Sequence, residues 1–227
     1  MPKYEFAERV GNVYVIDTMM FDFEHYSSAF LVEGKELAIV DTGLPAQLPA
    51  LLSGIKKHGF SPGDISHIFI THCEHPDHSG NVGPLLRMSP KAKVYINPTG
   101  LQALTEPSNE HNKWKETLPP NMFARFRDME PVPGKRIVCL HNNETIDLGN
   151  DTRLKFIFAK GHQPSGLVIL DEKNKGLFIN DLVGNYFADA DFSLILSPPN
   201  SDLMQCLESL RLMKHIPVDR LYLGHYG

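Results

Sequence analysis

Cysteine is scarce in this chain and has no metal-site spacing. Cys73, Cys139 and Cys206 lie far apart and form no Cys-x-x-Cys pair. That excludes a sulfur-rich zinc site and a disulfide framework, and it fits a reducing cytoplasm. Basic blocks are missing too. The net charge is −5 and no Lys/Arg run occurs, which argues against a nucleic-acid surface. No stretch approaches the roughly 18 apolar residues of a membrane span. Met1-Pro2-Lys3-Tyr4-Glu5 lacks the apolar run of a signal peptide. A cytoplasmic location, with no membrane and no nucleic acid, is the expectation. No repeat recurs at a period of about 20–50 residues. The remaining composition, 42% apolar and 22% charged over 227 residues, is that of an ordinary globule. No linker shows, so one domain over 1–227 is expected.

What the chain has in plenty is histidine, eleven in all. Residues 71–80, Thr-His-Cys-Glu-His-Pro-Asp-His-Ser-Gly, gather His72, Glu74, His75, Asp77 and His78 in one loop. A solvated turn needs no such set. Imidazole and carboxylate together are the ligand set for zinc, iron or manganese.

Periodicity places that loop between a buried strand, Ile65–Ile70, and a short helix over 81–88. Upstream, a strand at Asn12–Asp17 precedes a hairpin of Ser28–Val32 and Leu37–Val40. Gln47–His58 has apolar residues at helical spacing and Gly59 as a stop. Downstream, strands are expected at Lys93–Ile96, Ile137–Leu140, Glu144–Leu148, Leu154–Ala159 and Leu221–Leu223. A hairpin is expected at Gly166–Leu170 and Gly176–Asn180. Ser201–Lys214 reads as an amphipathic helix with Ser201 as N-cap. Between Glu106 and Arg136 the pattern degrades, with short helices expected at Lys113–Thr117 and Phe123–Met129. That stretch reads as a cap over a site or as an insertion packed on the surface; Trp114 reads as part of an interface or a lid. Strand-rich segments separated by helices, twice over, predict two sheets packed face to face with helices outside.

Four further residues share one position, the first polar residue past an apolar strand: Asp41, His162, Asp181 and His225. Two divalent ions a few ångströms apart need a bridging anion and an open position each. Asp181 is the candidate bridge. His72, His75 and His162 form one terminal set; Asp77, His78 and His225 form the other. Asp41 is expected to accept a ligand imidazole's second N–H and fix its tautomer.

Val40-Asp41-Thr42-Gly43, Thr71-His72, His75-Pro76-Asp77-His78-Ser79-Gly80, Gly161-His162, Asn180-Asp181 and Gly224-His225 span nearly the whole chain. In this order they resemble the metallo-β-lactamase superfamily. The resemblance implies an α/β fold, the αββα sandwich, with a dinuclear site. Pro76–Gly80 with Leu85-Leu86 and Ala92–Tyr95, Glu144–Gly149, and Leu177–Asp181 with Gly184 and Ala188 look closer to the diiron domain of flavodiiron proteins. So does Phe23-Glu24-His25-Tyr26, which is similar to the stretch whose histidine approaches that site. One departure matters. The family pattern is His-x-His-x-Asp-His, with Glu second in flavodiiron proteins, and this chain carries an extra residue. Aligned from the right, His75 is second; aligned from the left, Glu74 is. His75 is expected, because the tight turn fixes the His-x-Asp-His register.

The resemblance implies two Fe, and a protein that binds or reduces dioxygen. The sequence ends two residues past His225, so no flavodoxin domain is expected, and the nearest role is an oxygen sensor. Its partners would be dioxygen or another small ligand and a chemoreceptor or other signalling protein. Tyr26, Tyr186 and Tyr226 are pocket candidates, and a homo-oligomer is expected. The alternative is a dizinc hydrolase of a thioester, lactone or phosphodiester, with Asp77 orienting the zinc-bound water. Gly161–Gly166 looks more like that hydrolase branch. A module that kept metal for structure alone is the third reading.

Overall fold

The computed structural model describes residues 7–117, 120–123, 129–187, 192–194 and 201–226. A first sheet holds seven strands in sequence order: β1 (Arg9–Val10), β2 (Val13–Asp17), β3 (Ser28–Glu33), β4 (Leu37–Val40), β5 (Ile65–Phe69), β6 (Lys93–Ile96) and β7 (Ile137–Cys139). The strands are antiparallel through β4 and parallel from β4 to β7. Helices α1 (Leu48–Lys57), α2 (Pro76–Ser79), α3 (Val82–Met88), α4 (Leu101–Thr105), α5 (Ser108–Thr117) and α6 (Pro120–Phe123) fall between β4 and β7. The second sheet contains β8 (Thr145–Asp147), β9 (Arg153–Phe158), β10 (Leu167–Asp171) and β11 (Gly176–Asn180). A small hairpin, β12 (Asn185–Phe187) and β13 (Phe192–Leu194), stands apart. After α7 (Leu203–Met213), β14 (Arg220–Leu223) returns beside β11, giving the order β14-β11-β10-β9-β8.

Three cores explain why these strands read as nearly continuous apolar runs. Alternate side chains of one strand point to opposite faces, and here both faces are buried. On β3, Phe30 and Val32 point between the sheets, where they meet Phe156, Ile169 and Phe178. Ala29 and Leu31 point the other way, under Leu51 and Ile55 of α1 and Leu85 of α3. On the far side of the second sheet, Val168, Leu177 and Ile179 pack on Cys206 and Met213 of α7. Helix, sheet, sheet and helix therefore stack as the expected αββα layers.

Most expected elements stand within a residue or two of their predicted bounds. The exceptions have local causes. Asp202, not Ser201, caps α7, accepting from the N–H groups of Met204 and Gln205 at 2.9 and 3.1 Å. Ser201 instead donates to the carbonyl of His162, 3.1 Å away. Two-residue β1 and hairpin β12–β13 are too short and too weakly alternating to announce themselves. Helix α5 begins at Ser108, earlier than the periodicity suggests. Most of the expected 123–129 helix, the Trp114 side chain, Ala188 and the first six residues lie outside what is described. Phe123 of α6 and Tyr26 both pack against Met20 and Leu44.

Phe156 is fully buried and faces Phe69 at 4.8 Å between ring centroids. Phe156→Ala leaves a cavity between the sheets and is expected to cost about 3–5 kcal/mol, read as a lower urea midpoint.

Candidate metal centre

Every chemistry-bearing loop leaves the end of a strand at the same edge of the sandwich. Strands β4 and β5 run parallel in the first sheet, and β9, β11 and β14 run in a common direction in the second. Asp41, His72, His162, Asp181 and His225 follow those five strands. Glycine makes two of the deliveries possible. Gly161 has φ +133°, and a Cβ there would collide with the backbone of Cys206 in α7. At Gly224 a Cβ would lie 2.6 Å from Asp181 Oδ1 and 2.9 Å from His78 Cε1.

Ligand atoms fall into two groups that share one carboxylate. His72, His75, His162 and Asp181 form the first; Asp77, His78, Asp181 and His225 form the second. All seven residues are buried. Asp181 Oδ2 lies 3.2 Å from His78 Nε2 and 3.4 Å from Nε2 of both His162 and His225. Asp77 Oδ2 lies 3.3 Å from His225 Nε2 and 3.8 Å from His78 Nε2.

Neighbouring acceptors set the imidazole tautomers. His78 Nδ1–H donates to Asp41 Oδ2 at 2.8 Å. His225 Nδ1–H donates to the Tyr26 carbonyl at 2.8 Å. Each leaves Nε2 facing Asp181, the arrangement that orients a ligand imidazole. Asp41 itself sits in the left-handed region at φ 58°. Its carboxylate holds that turn by accepting from Thr71 N and Oγ1 at 2.8 and 2.7 Å. Thr42 and Asn81 complete the brace, with Thr42 bonded to the His78 carbonyl and Asn81 to the carbonyls of Thr42 and Leu44.

The electrostatics fit cations. His72 is fully buried, and neither ring nitrogen has a hydrogen-bond partner. An imidazole in that position forfeits two hydrogen bonds unless a metal takes the lone pair. Burial holds His72 well below its usual range, with the neighbouring His78 adding to the effect. Burial likewise brings His75 down to about 3. On the other side, burial opposes charge at His225, yet Asp181 and Asp77 drive it up to about 10. His78 is raised in the same way, against burial, by Asp181, Asp41 and Asp77. Asp77 is held low, since His78 and His225 outweigh the burial that would raise it. The carboxylates thus demand positive charge where protons are the only other source. Residues and charges both fit a pair of divalent ions, one per group.

Other sequence candidates fall elsewhere. His25 is exposed and lies against Tyr226 at 4.9 Å, outside both groups. Glu74 is buried but turned to Ser165. Tyr26 is half-buried beside the second group, its ring 5.8 Å from that of His225. Tyr186 meets His225 through its backbone N–H. Gln163 has no role of its own in the sequence reading beyond its place in the Gly161–Gly166 stretch. It is fully buried, with its amide 2.7 Å from His75 Nε2.

A family model for the metallo-beta-lactamase superfamily matches residues 22–225. The chain belongs to the metallo-beta-lactamase superfamily. Among curated proteins it is 29% identical to flavo-diiron protein FprA2 of Clostridium acetobutylicum, over 83% of this chain and 44% of that one. It is 26% identical to putative diflavin flavoprotein A 3 of a Nostoc species, over 87% of this chain and 33% of the relative. The chain therefore spans less than half the length of these relatives. A solved archaeal superfamily member from Sulfolobus tokodaii superposes with a TM-score of 0.77 at 20% identity, over 96% of this chain and 81% of that one. The Rm3 metallo-beta-lactamase gives 0.68 at 21%, over 95% and 76%. These two superfamily structures establish the fold alone. Among the described residues no helix is long and apolar enough to cross a membrane.

Two outcomes are expected. Gly224→Ala pushes a methyl group against Asp181 and His78, and should cost one of two bound metal ions per chain by elemental analysis. Metal uptake should release protons, because His78 and His225 hold them in the metal-free protein. Apparent affinity then rises with pH up to about 10, where His225 is free of its proton. The metal-free protein follows the opposite sign. The raised His225 stabilises it below pH 6.5, and that contribution is lost as pH rises through about 10. Calorimetric titrations in buffers of different ionisation enthalpy, and denaturant melts against pH, check both signs.

Proposed function

We propose that this chain holds a dinuclear non-haem iron centre that binds dioxygen. The observation that carries the reading is the pair of buried ligand groups sharing Asp181, in a chain 29% identical to a flavo-diiron protein over most of its length. His72, His75 and His162 would hold one ion, Asp77, His78 and His225 the other, and Asp181 both. A ferrous pair held there would offer the electrons that dioxygen binding draws on.

The chain's own residues set the terms of that binding. Two carboxylates against two divalent ions leave the site positive, which favours an anionic or electron-accepting ligand. Tyr26 keeps its proton, because burial and then the nearby Asp77 charge raise its phenol. It is a hydrogen-bond donor on the second group's side. Extended to sensing, the same reading takes a chemoreceptor or other signalling protein as partner.

The Gly161–Gly166 turn supports the hydrolase alternative. In that reading Asp77, held ionised beside His225, accepts a hydrogen bond from the attacking water.

Anaerobic reconstitution with ferrous iron, followed by admission of air, tests the choice. A visible absorption band that appears with oxygen and persists is expected. A colourless protein that retains two zinc ions, as the two groups allow, and turns over a thioester, lactone or phosphodiester would replace this reading with the hydrolase.

A further inference from the structure

The loop at 72–78 carries one more residue than the family pattern, and both Glu74 and His75 are buried. Burial therefore does not say which of them serves the first ligand group. Their partners do.

Glu74 is already engaged at both oxygens. Oε1 accepts from Ser165 N–H at 3.0 Å; Oε2 accepts from Ser165 Oγ at 2.5 Å and from Cys73 N–H at 3.1 Å. Swinging it to a cation would strip these buried donors of their acceptor. His75 is held differently. Pro76 restricts it to extended backbone, φ −105° and ψ 127°. Its Nδ1 then lies 3.3 Å from His162 Nε2, inside the first group. Its Nε2 lies 2.7 Å from Gln163 Nε2, the donor end of that amide as placed. His78 and His225 are anchored at Nδ1 and face inward through Nε2; His75 is the reverse. Ligation through Nδ1 puts a hydrogen on Nε2. A half-turn of the Gln163 amide presents Oε1 to accept it.

We propose that Gln163 is the positioning residue that commits His75, through Nδ1, to the first metal, while Ser165 holds Glu74 away as a tether of the loop. Both selecting residues belong to the turn that delivers His162. One short segment after β9 thus supplies a ligand and chooses its neighbour. The inference rests on the dinuclear reading and is independent of dioxygen.

Anaerobic cobalt(II) titration, followed by visible absorption, tests it without any turnover. The wild-type protein should take two cobalt ions. Glu74→Gln, which keeps the shape and one of the two acceptor oxygens, should also take two with an unchanged spectrum; His75→Ala should take one. Gln163→Leu should weaken one of the two ions by about 10–100-fold and alter its spectrum. Gln163→Glu, which again accepts from Nε2–H, should restore it. The Leu and Glu variants fill the same space, so packing alone would move neither or both. Loss of a cobalt ion in Glu74→Gln, or wild-type binding in Gln163→Leu, would overturn this inference and leave the dinuclear centre standing. Fewer than two cobalt ions in the wild-type protein would overturn both.

Discussion

Asp181 is the group on which the centre depends. One of its oxygens lies within 3.4 Å of imidazole nitrogens from three separate loops. A buried carboxylate is tolerable only when positive charge surrounds it. Here that charge is assembled from loops that follow strands of both sheets. The sandwich brings those strand ends to one edge, and the parallel pairings of β4 with β5 and of β11 with β14 set the relative positions of the loops. Packing between Phe30, Phe156 and Phe178 is therefore also what holds the ligand groups together.

A ring of second contacts turns proximity into orientation. Asp41 fastens Thr71 and His78 at once, so one carboxylate fixes both the exit of β5 and a ligand tautomer. Its left-handed backbone is a local cost met by three hydrogen bonds. Thr42 and Asn81 knit the same turn to the helix that follows. Gly224 belongs to this ring by what it lacks, since only a missing side chain lets His225 pass so close to Asp181 and His78.

Much of this was readable in the sequence, for an identifiable reason. Strands buried on both faces give apolar runs with sharp ends, and the first polar residue beyond each run was the informative one. That rule alone pointed to His162, Asp181 and His225, and the structure brings all three to the histidine loop. It gave Asp41 as a supporting acceptor, and the 2.8 Å contact with His78 has that form. What was not readable depends on distant partners. Glu74 and His75 are neighbours in the chain, and no local pattern separates them. Ser165, 91 residues away, and Gln163, 88 residues from His75, do. The cap of α7 was misread because Ser201 and Asp202 are equally good local candidates, and the His162 carbonyl draws Ser201 off. His25, in a stretch that the resemblance brings toward the site, has an exposed side chain, and its backbone N–H donates to an Asp17 carboxylate.

The choice of His75 over Glu74 has a consequence for the chemistry. A carboxylate at that position would add a negative charge to the first group; an imidazole adds none. If His75 is the ligand, as proposed, ions bound there would keep more positive charge and would hold an anionic ligand more strongly. Nothing soft offsets this. Cys73 is next to both residues, but burial keeps its thiol protonated and it stands outside both ligand groups. The donor set is then rich in nitrogen and poor in charge.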